Sequence, residues 1–237
     1  MESRPLTIDE FYNELIAKNS GKNSLFKERD KLLLGLSVMC GLREIELTQL
    51  TIGLVTSPTS EMNEFVVLPN SITYDGYDRP FLLSNDEIQG WFVDYMKWMI
   101  SNGINTQAGG SYYGLNPNAQ LFVNDDFKPF TVQKRGNGNL SPVQMNKHLD
   151  KLIKNTELWA KGIRRKSFIR TCTIQSYRAG MSTNDITLTT GQSEETIKNT
   201  LVMDIAQYDP ICDWFDKRKT DKAKRLESFK KRRRFMI

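Results

Sequence analysis

The chain is short of the residues that would point to membranes, disulfides or metals. No apolar run approaches the roughly 18 residues that a membrane-spanning helix needs. The start, MESRPLTIDEF, has no apolar core of the signal-peptide kind. The three cysteines, Cys40, Cys172 and Cys212, are odd in number and far apart. They read as small buried hydrophobes in a reducing, cytoplasmic setting, not as a disulfide framework or a metal site. There is one histidine, His148, and its helical setting suggests a surface or packing role. Lysine is missing from residues 62–80, although the 237-residue chain carries 33 Lys and Arg. No membrane partner, metal or cofactor is expected.

What is present is a soluble-protein composition with an uneven charge. Hydrophobic residues make up 39% and charged residues 26%, enough to build a substantial core. The net charge of +5 hides a basic tail. Residues 217–234, KRKTDKAKRLESFKKRRR, hold 11 Lys and Arg against Asp221 and Glu227. The rest of the chain has 22 basic against 26 acidic residues. A run of this kind suits binding to a phosphate backbone through counterion release. A solvated tail that aids solubility, or a nuclear-localisation signal, fits the same composition.

Periodicity and capping signals predict a mainly α chain with a small antiparallel β-sheet, an α+β class. Thr7-x-x-Glu10 is a capping box ahead of a helix to about residue 18. A strongly apolar helix over 26–40 is central to the predicted core, with Gly41 as its cap. A short helix over 42–50 and strands over 51–55, 64–68 and 79–83 follow, the last two joined through Asp75-Gly76. Ser84-x-x-Glu87 opens an aromatic-rich helix, whose rings belong to the core. Residues 102–140 read as a long loop with one short strand at 120–123. Within it, Lys134 and Arg135 are candidate phosphate contacts. Helices are predicted from Ser141-Pro142 to about residue 156, then over 168–179, 184–189 and 194–207. Tyr177 is expected in the core. The predicted division is a body over 1–208 and a basic tail over 209–237.

Two arginines are set among hydrophobic residues, where an unpaired charge is costly. Arg43 lies in GLREIEL, residues 41–47, and Arg170 in SFIRTCTIQSYRAG, residues 167–180. A phosphate gripped by bidentate guanidinium hydrogen bonds is a natural partner for both. Arg164, Arg165 and Lys166 add a basic cluster just ahead of Arg170.

The order of these boxes resembles the catalytic domain of the tyrosine recombinase, or phage integrase, family. The resemblance runs from Leu6-Thr7-Ile8-Asp9-Glu10 through Gly41-Leu42-Arg43-Glu44-Ile45-Glu46-Leu47 to Ser167-Phe168-Ile169-Arg170, Ala179-Gly180 and Gly191-Gln192. It implies that Arg43 and Arg170 clamp a scissile DNA phosphate and that Glu46 supports Arg43. A tyrosine would attack phosphorus and form a phosphotyrosine link, which needs no metal or cofactor. The family's hairpin lysine, which protonates the departing 5′ oxygen, has no counterpart here; its place falls near Tyr74. The two family histidines are replaced by Ser167 and Gln192, groups able to orient a phosphate. The best candidate nucleophile is Tyr208, 16 residues after Gln192.

The resemblance implies double-stranded DNA as partner and a role in DNA recombination or integration by a mobile element. It further implies oligomers on DNA formed through the tail, and a possible partner recombinase. Lys134, Arg135, Arg164, Arg165, Lys166, Lys230, Lys231, Arg232, Arg233 and Arg234 are the expected backbone contacts. The reduced catalytic set leaves a second reading open, an accessory DNA-binding module that has lost the chemistry.

Overall fold

The computed structural model describes residues 3–21, 24–134, 136, 140–204 and 224. Its elements run α1 (a π-type turn over Glu10–Ile16 that finishes as α over Ala17–Asn19), α2 (Lys27–Val38), α3 (Glu44–Gln49) and α4 (Ile52–Val55). Then come β1 (Phe65–Leu68), β2 (Arg79–Leu82) and α5 (Asp86–Ser101). A 3-10 turn at Ser111–Gly114, β3 (Gln133–Lys134), β4 (Leu140–Ser141) and α6 (Val143–Lys154) follow. A second 3-10 turn at Glu157–Trp159 leads to α7 (Arg165–Arg178), α8 (Thr183–Thr190) and α9 (Glu194–Leu201). The class is mainly α, with two small antiparallel sheets among the described residues, β1 with β2 and β3 with β4.

Helix α2 is the centre, because it is apolar around much of its circumference. Leu32, Leu33 and Leu34 are all fully buried. It packs between α5 and α7. Gly35 allows α5 to come close: a Cβ there would sit 2.6 Å from Ile88 and 2.8 Å from Trp91. The chain start lies along α7, where the Leu6 N–H donates to the Thr171 hydroxyl at 2.8 Å. The capping box at α1 is formed reciprocally, Glu10 N–H to Thr7 Oγ1 at 3.1 Å and Thr7 N–H to Glu10 Oε2 at 3.0 Å. Among the described residues no helix is long and apolar enough to cross a membrane.

Several expectations shift. Ile52–Val55 form a helical turn, not a strand, with the Ile52 and Gly53 N–H groups donating to the distant carbonyls of Ala119 and Pro117; Thr51 stays extended. Helix α5 is capped by Asn85, one residue after Ser84; its side chain accepts from Glu87 and Ile88 N–H. The stretch 102–134 is no loose loop: Leu115, Leu121, Phe122, Val123 and Phe130 are all buried. Residues 120–123 make isolated bridges to Thr51 and Pro129 but no strand. Tyr177 is 48% exposed, not in the core. Of the two roles expected for His148, packing is the one found: it is buried, 2.8 Å from Asp30. The body boundary at residue 208 and the basic tail, apart from residue 224, lie outside the described residues.

Candidate phosphate-binding site

The site grows from the turn that ends α2. Gly41 adopts φ +68°, a left-handed conformation that an L side chain resists, and this turns the chain into α3. Arg43 is the N-cap of α3, in extended conformation. Its backbone N–H donates to Glu46 Oε2 at 2.7 Å. Glu46, fully buried, is the hub of the region. Its Oε1 accepts from Arg79 Nε at 2.9 Å and from the Tyr74 N–H at 3.1 Å. Arg79 Nη2 bonds Glu46 Oε2 as well, and Arg79 Nη1 donates to the Thr189 carbonyl. One carboxylate thus fixes α3, the tip of the β1–β2 hairpin and, through Arg79, the end of α8.

The hairpin tip closes over the arginine. The Tyr74 ring lies 4.0 Å from Arg43 Cζ, a cation–π contact, while Tyr74 itself is 64% exposed. Asp75 packs on the Gly191 turn, where a Cβ would meet its Oδ2 at 2.7 Å. Arg43 is only partly exposed, and its Nε is buried with no hydrogen-bond partner. Burial pushes its guanidinium below its ordinary value; Glu46 works in the other direction. An arginine still keeps its charge in such a setting. The result is a held cation with an unused donor.

Arg165, which precedes Arg170 on α7, borders a cavity together with Arg43. Arg43, Arg165 and Lys166 line one small cavity of about 50 Å³, floored by Leu149 and Phe168. Arg165 also lines a larger polar hollow of about 480 Å³ together with Tyr74, Thr73, Ser71 and Asn146. Its Nη1 donates to Glu44 at 2.8 Å and Asn146 at 2.9 Å, its Nε to Asp150 at 3.0 Å. Burial opposes the Arg165 charge, but Glu44 and Asp150 outweigh it and raise its pKa. Lys166 is exposed.

Arg170 lies five residues further along α7, about 140° around the axis from Arg165 at 3.6 residues per turn. It faces the chain start, and its Nη1 donates to the carbonyl and, at 2.9 Å, the hydroxyl of Ser3. It lines neither hollow that holds Arg165. The sequence predicts the start of α7 at residue 168, three residues beyond where it begins. The signal for the true start was Ser167, whose hydroxyl accepts the Arg164 N–H at 3.0 Å and caps the helix. Capping also engages Ser167 itself, which is fully buried.

The other expected groups divide in the same way. Gln192 is buried and donates to the Thr173 and Thr190 hydroxyls at 2.5 and 3.2 Å, tying the α8–α9 junction to α7. Arg164 stacks on Trp159 at 3.8 Å and donates to the Trp159 and Ile163 carbonyls, so it holds the turn before α7. Lys134 is exposed on β3. Tyr208, Arg135, Lys230, Lys231, Arg232, Arg233 and Arg234 lie outside the described residues.

No protein-family model and no curated protein matches the sequence. Solved structures do. XerA recombinase superposes with a TM-score of 0.60 at 18% identity, covering 89% of this chain and 66% of its own. The XerH site-specific recombinase bound to palindromic difH substrate gives 0.61 at 14% identity, covering 91% and 54%. The Tn1549 transposon integrase in complex with transposon right end DNA gives 0.54 at 18% identity, covering 84% and 61%. The fold is that of the tyrosine recombinase catalytic domain. The chain spans between about half and two-thirds of the length of these neighbours.

Proposed function

We propose that the chain binds the backbone of double-stranded DNA at Arg43 and Arg165, and cleaves and rejoins a strand through a phosphotyrosine intermediate. The observation that carries the reading is the half-buried Arg43 guanidinium, whose buried Nε lacks an acceptor beside a second arginine and a lysine. A buried donor left unmade costs about 1–3 kcal/mol, a cost that a phosphate oxygen removes. Donors fixed in advance where charge develops are the most effective electrostatic catalysts. Tyr208 is the proposed nucleophile, and the basic residues of the tail, Lys230 to Arg234, are proposed to add phosphate contacts. Lys134, Arg135 and Lys166 would do the same beside the body. Residues 209–237 would act as a basic arm on a body of 1–208, and contact a second copy of the chain on DNA. The neighbours with bound DNA, XerH and the Tn1549 integrase, support a role in recombination or integration.

The test is a nicked random-sequence duplex library, from which a strand-cleaving protein traps itself as a covalent adduct. An adduct that resists denaturation and disappears in Tyr208→Phe supports strand transfer. A second reading, a DNA-binding module without chemistry, is favoured by one feature: Arg165 is already engaged by Glu44 and Asp150. Salt-sensitive duplex binding with no adduct from the library would favour the module.

A further inference from the structure

We propose that the Tyr74 hydroxyl is the general acid of strand cleavage, delivering a proton to the departing 5′ oxygen. The proposal rests on the strand-transfer reading above. Expelling an alkoxide from phosphorus at neutral pH is slow unless a proton reaches it as the bond breaks. The guanidiniums of Arg43 and Arg165 hold their protons too tightly to give one. Arg79 is buried against Glu46. His148 bonds Asp30 and lines other cavities than those around Arg43. Ser167 and Gln192 are buried in structural hydrogen bonds.

Tyr74 has what these groups lack. A phenol and a primary ammonium ordinarily release protons in the same range, about 10, so a tyrosine can do a lysine's acid work. Its position is fixed at both ends: the backbone N–H bonds Glu46, and the ring stacks on Arg43. The hydroxyl has no partner among the described residues, and the side chain is open to solvent. The nearest rival, Lys166, lines the same small cavity but is held by nothing among the described residues. In the step, the nucleophile gives its hydroxyl proton to solvent as its oxygen bonds to phosphorus, and the bond from phosphorus to O5′ breaks; rejoining returns that proton from solvent. The Tyr74 proton passes to O5′, and the phenolate that remains lies beside the Arg43 cation. In rejoining, that phenolate takes the proton back from the 5′ hydroxyl as it attacks the phosphotyrosine.

The experiment uses a duplex recovered from the nicked library, made with either oxygen or sulfur at the bridging 5′ position. A thiolate leaves without protonation. Tyr74→Phe keeps the ring and its stack on Arg43, so folding is preserved. We expect it to form adduct about 10²- to 10⁴-fold more slowly than wild type on oxygen, and at close to the wild-type rate on sulfur. Equal rates on oxygen, or a loss that sulfur does not repair, overturn the proposal. So does a sulfur-repaired loss in Lys166→Met with none in Tyr74→Phe. If wild type forms no adduct even with sulfur, the strand-transfer reading fails and takes this one with it. If wild type forms adduct and Tyr74→Phe is unimpaired, only the assignment of Tyr74 fails.

Discussion

Two arginines, Arg29 and Arg43, are held in similar ways and left in opposite states. Each lies against an aromatic ring, Arg29 at 4.2 Å from Phe26 and Arg43 at 4.0 Å from Tyr74. Arg29 is 1% exposed and saturated: Nε bonds Asp30, Nη1 the Val123 carbonyl and Nη2 Asp125. Asp30 in turn bonds His148. That cluster joins α2, α6 and the segment around Asp125, and it leaves Arg29 no guanidinium nitrogen without an acceptor. At Arg43 the surrounding groups fix the backbone and the ring but leave Nε without an acceptor. Buried charge that is fully matched reads as structure. Buried charge that is rigidly placed and under-matched reads as a ligand site.

The largest effect expected from this contrast comes from replacing each arginine with methionine. Arg29→Met leaves Asp30 buried without its cation, a change that typically costs about 3–5 kcal/mol. For a domain of this size that is a fall of roughly 6–20 °C in thermal midpoint. Arg43→Met should move the midpoint little, because it removes a guanidinium that no carboxylate is bonded to. It should slow adduct formation about 10²- to 10³-fold, the usual cost of losing one preorganised donor. Calorimetry and the trapping assay read the two quantities separately. A large stability loss in Arg43→Met would break the comparison.

A smaller effect separates Arg165 and Arg170 of α7. Arg165→Met should slow adduct formation about 10²-fold, and reduce the slope of log binding against log salt by about one unit. Arg170→Met should leave both nearly unchanged and act on stability, since Arg170 holds the chain start at Ser3. The opposite ranking, measured by the same assays, would favour Arg170 as the second arginine of the clamp.

Much of the fold is legible in the sequence because its signals are local. The capping box at Thr7, the apolar run of α2 and the hairpin strands β1 and β2 are written in neighbouring residues, and the structure keeps them. Residues 51–55 misled because their β-branched content outweighed a constraint that local sequence cannot carry. Their N–H groups are claimed by carbonyls more than 60 residues away. The candidate site was half legible. Arg43 and Glu46 stood out through their spacing in one short box. Arg165 reads as one of several surface cations, because a helix expected from residue 168 leaves it outside α7 and on no defined face. Tyr74 registered only as the place where a lysine was missing, since nothing local says that its ring lands on Arg43.

The smallest prediction tests the saturated cluster by pH. Burial alone would raise the Asp125 carboxyl, but hydrogen bonds from Lys151 and Arg29 and their charges win, and its pKa lies below the ordinary 3.8. A carboxyl lowered on folding binds fewer protons in the native state than in the unfolded one. Its stabilisation is therefore full above the ordinary value, and is lost as pH falls through the lower folded one. Asp125 is nearly half exposed, at 46% for its side chain, so solvent screens the pair and limits its worth to about 1 kcal/mol or less. Asp125→Asn should lower the thermal midpoint slightly at pH 6, and the gap to wild type should close as pH falls below the ordinary 3.8 and through the lower folded value. A gap that persists undiminished in acid would mean that Asp125 acts through its shape and hydrogen bonds, and that charge matching at Arg29 is already complete with Asp30 alone.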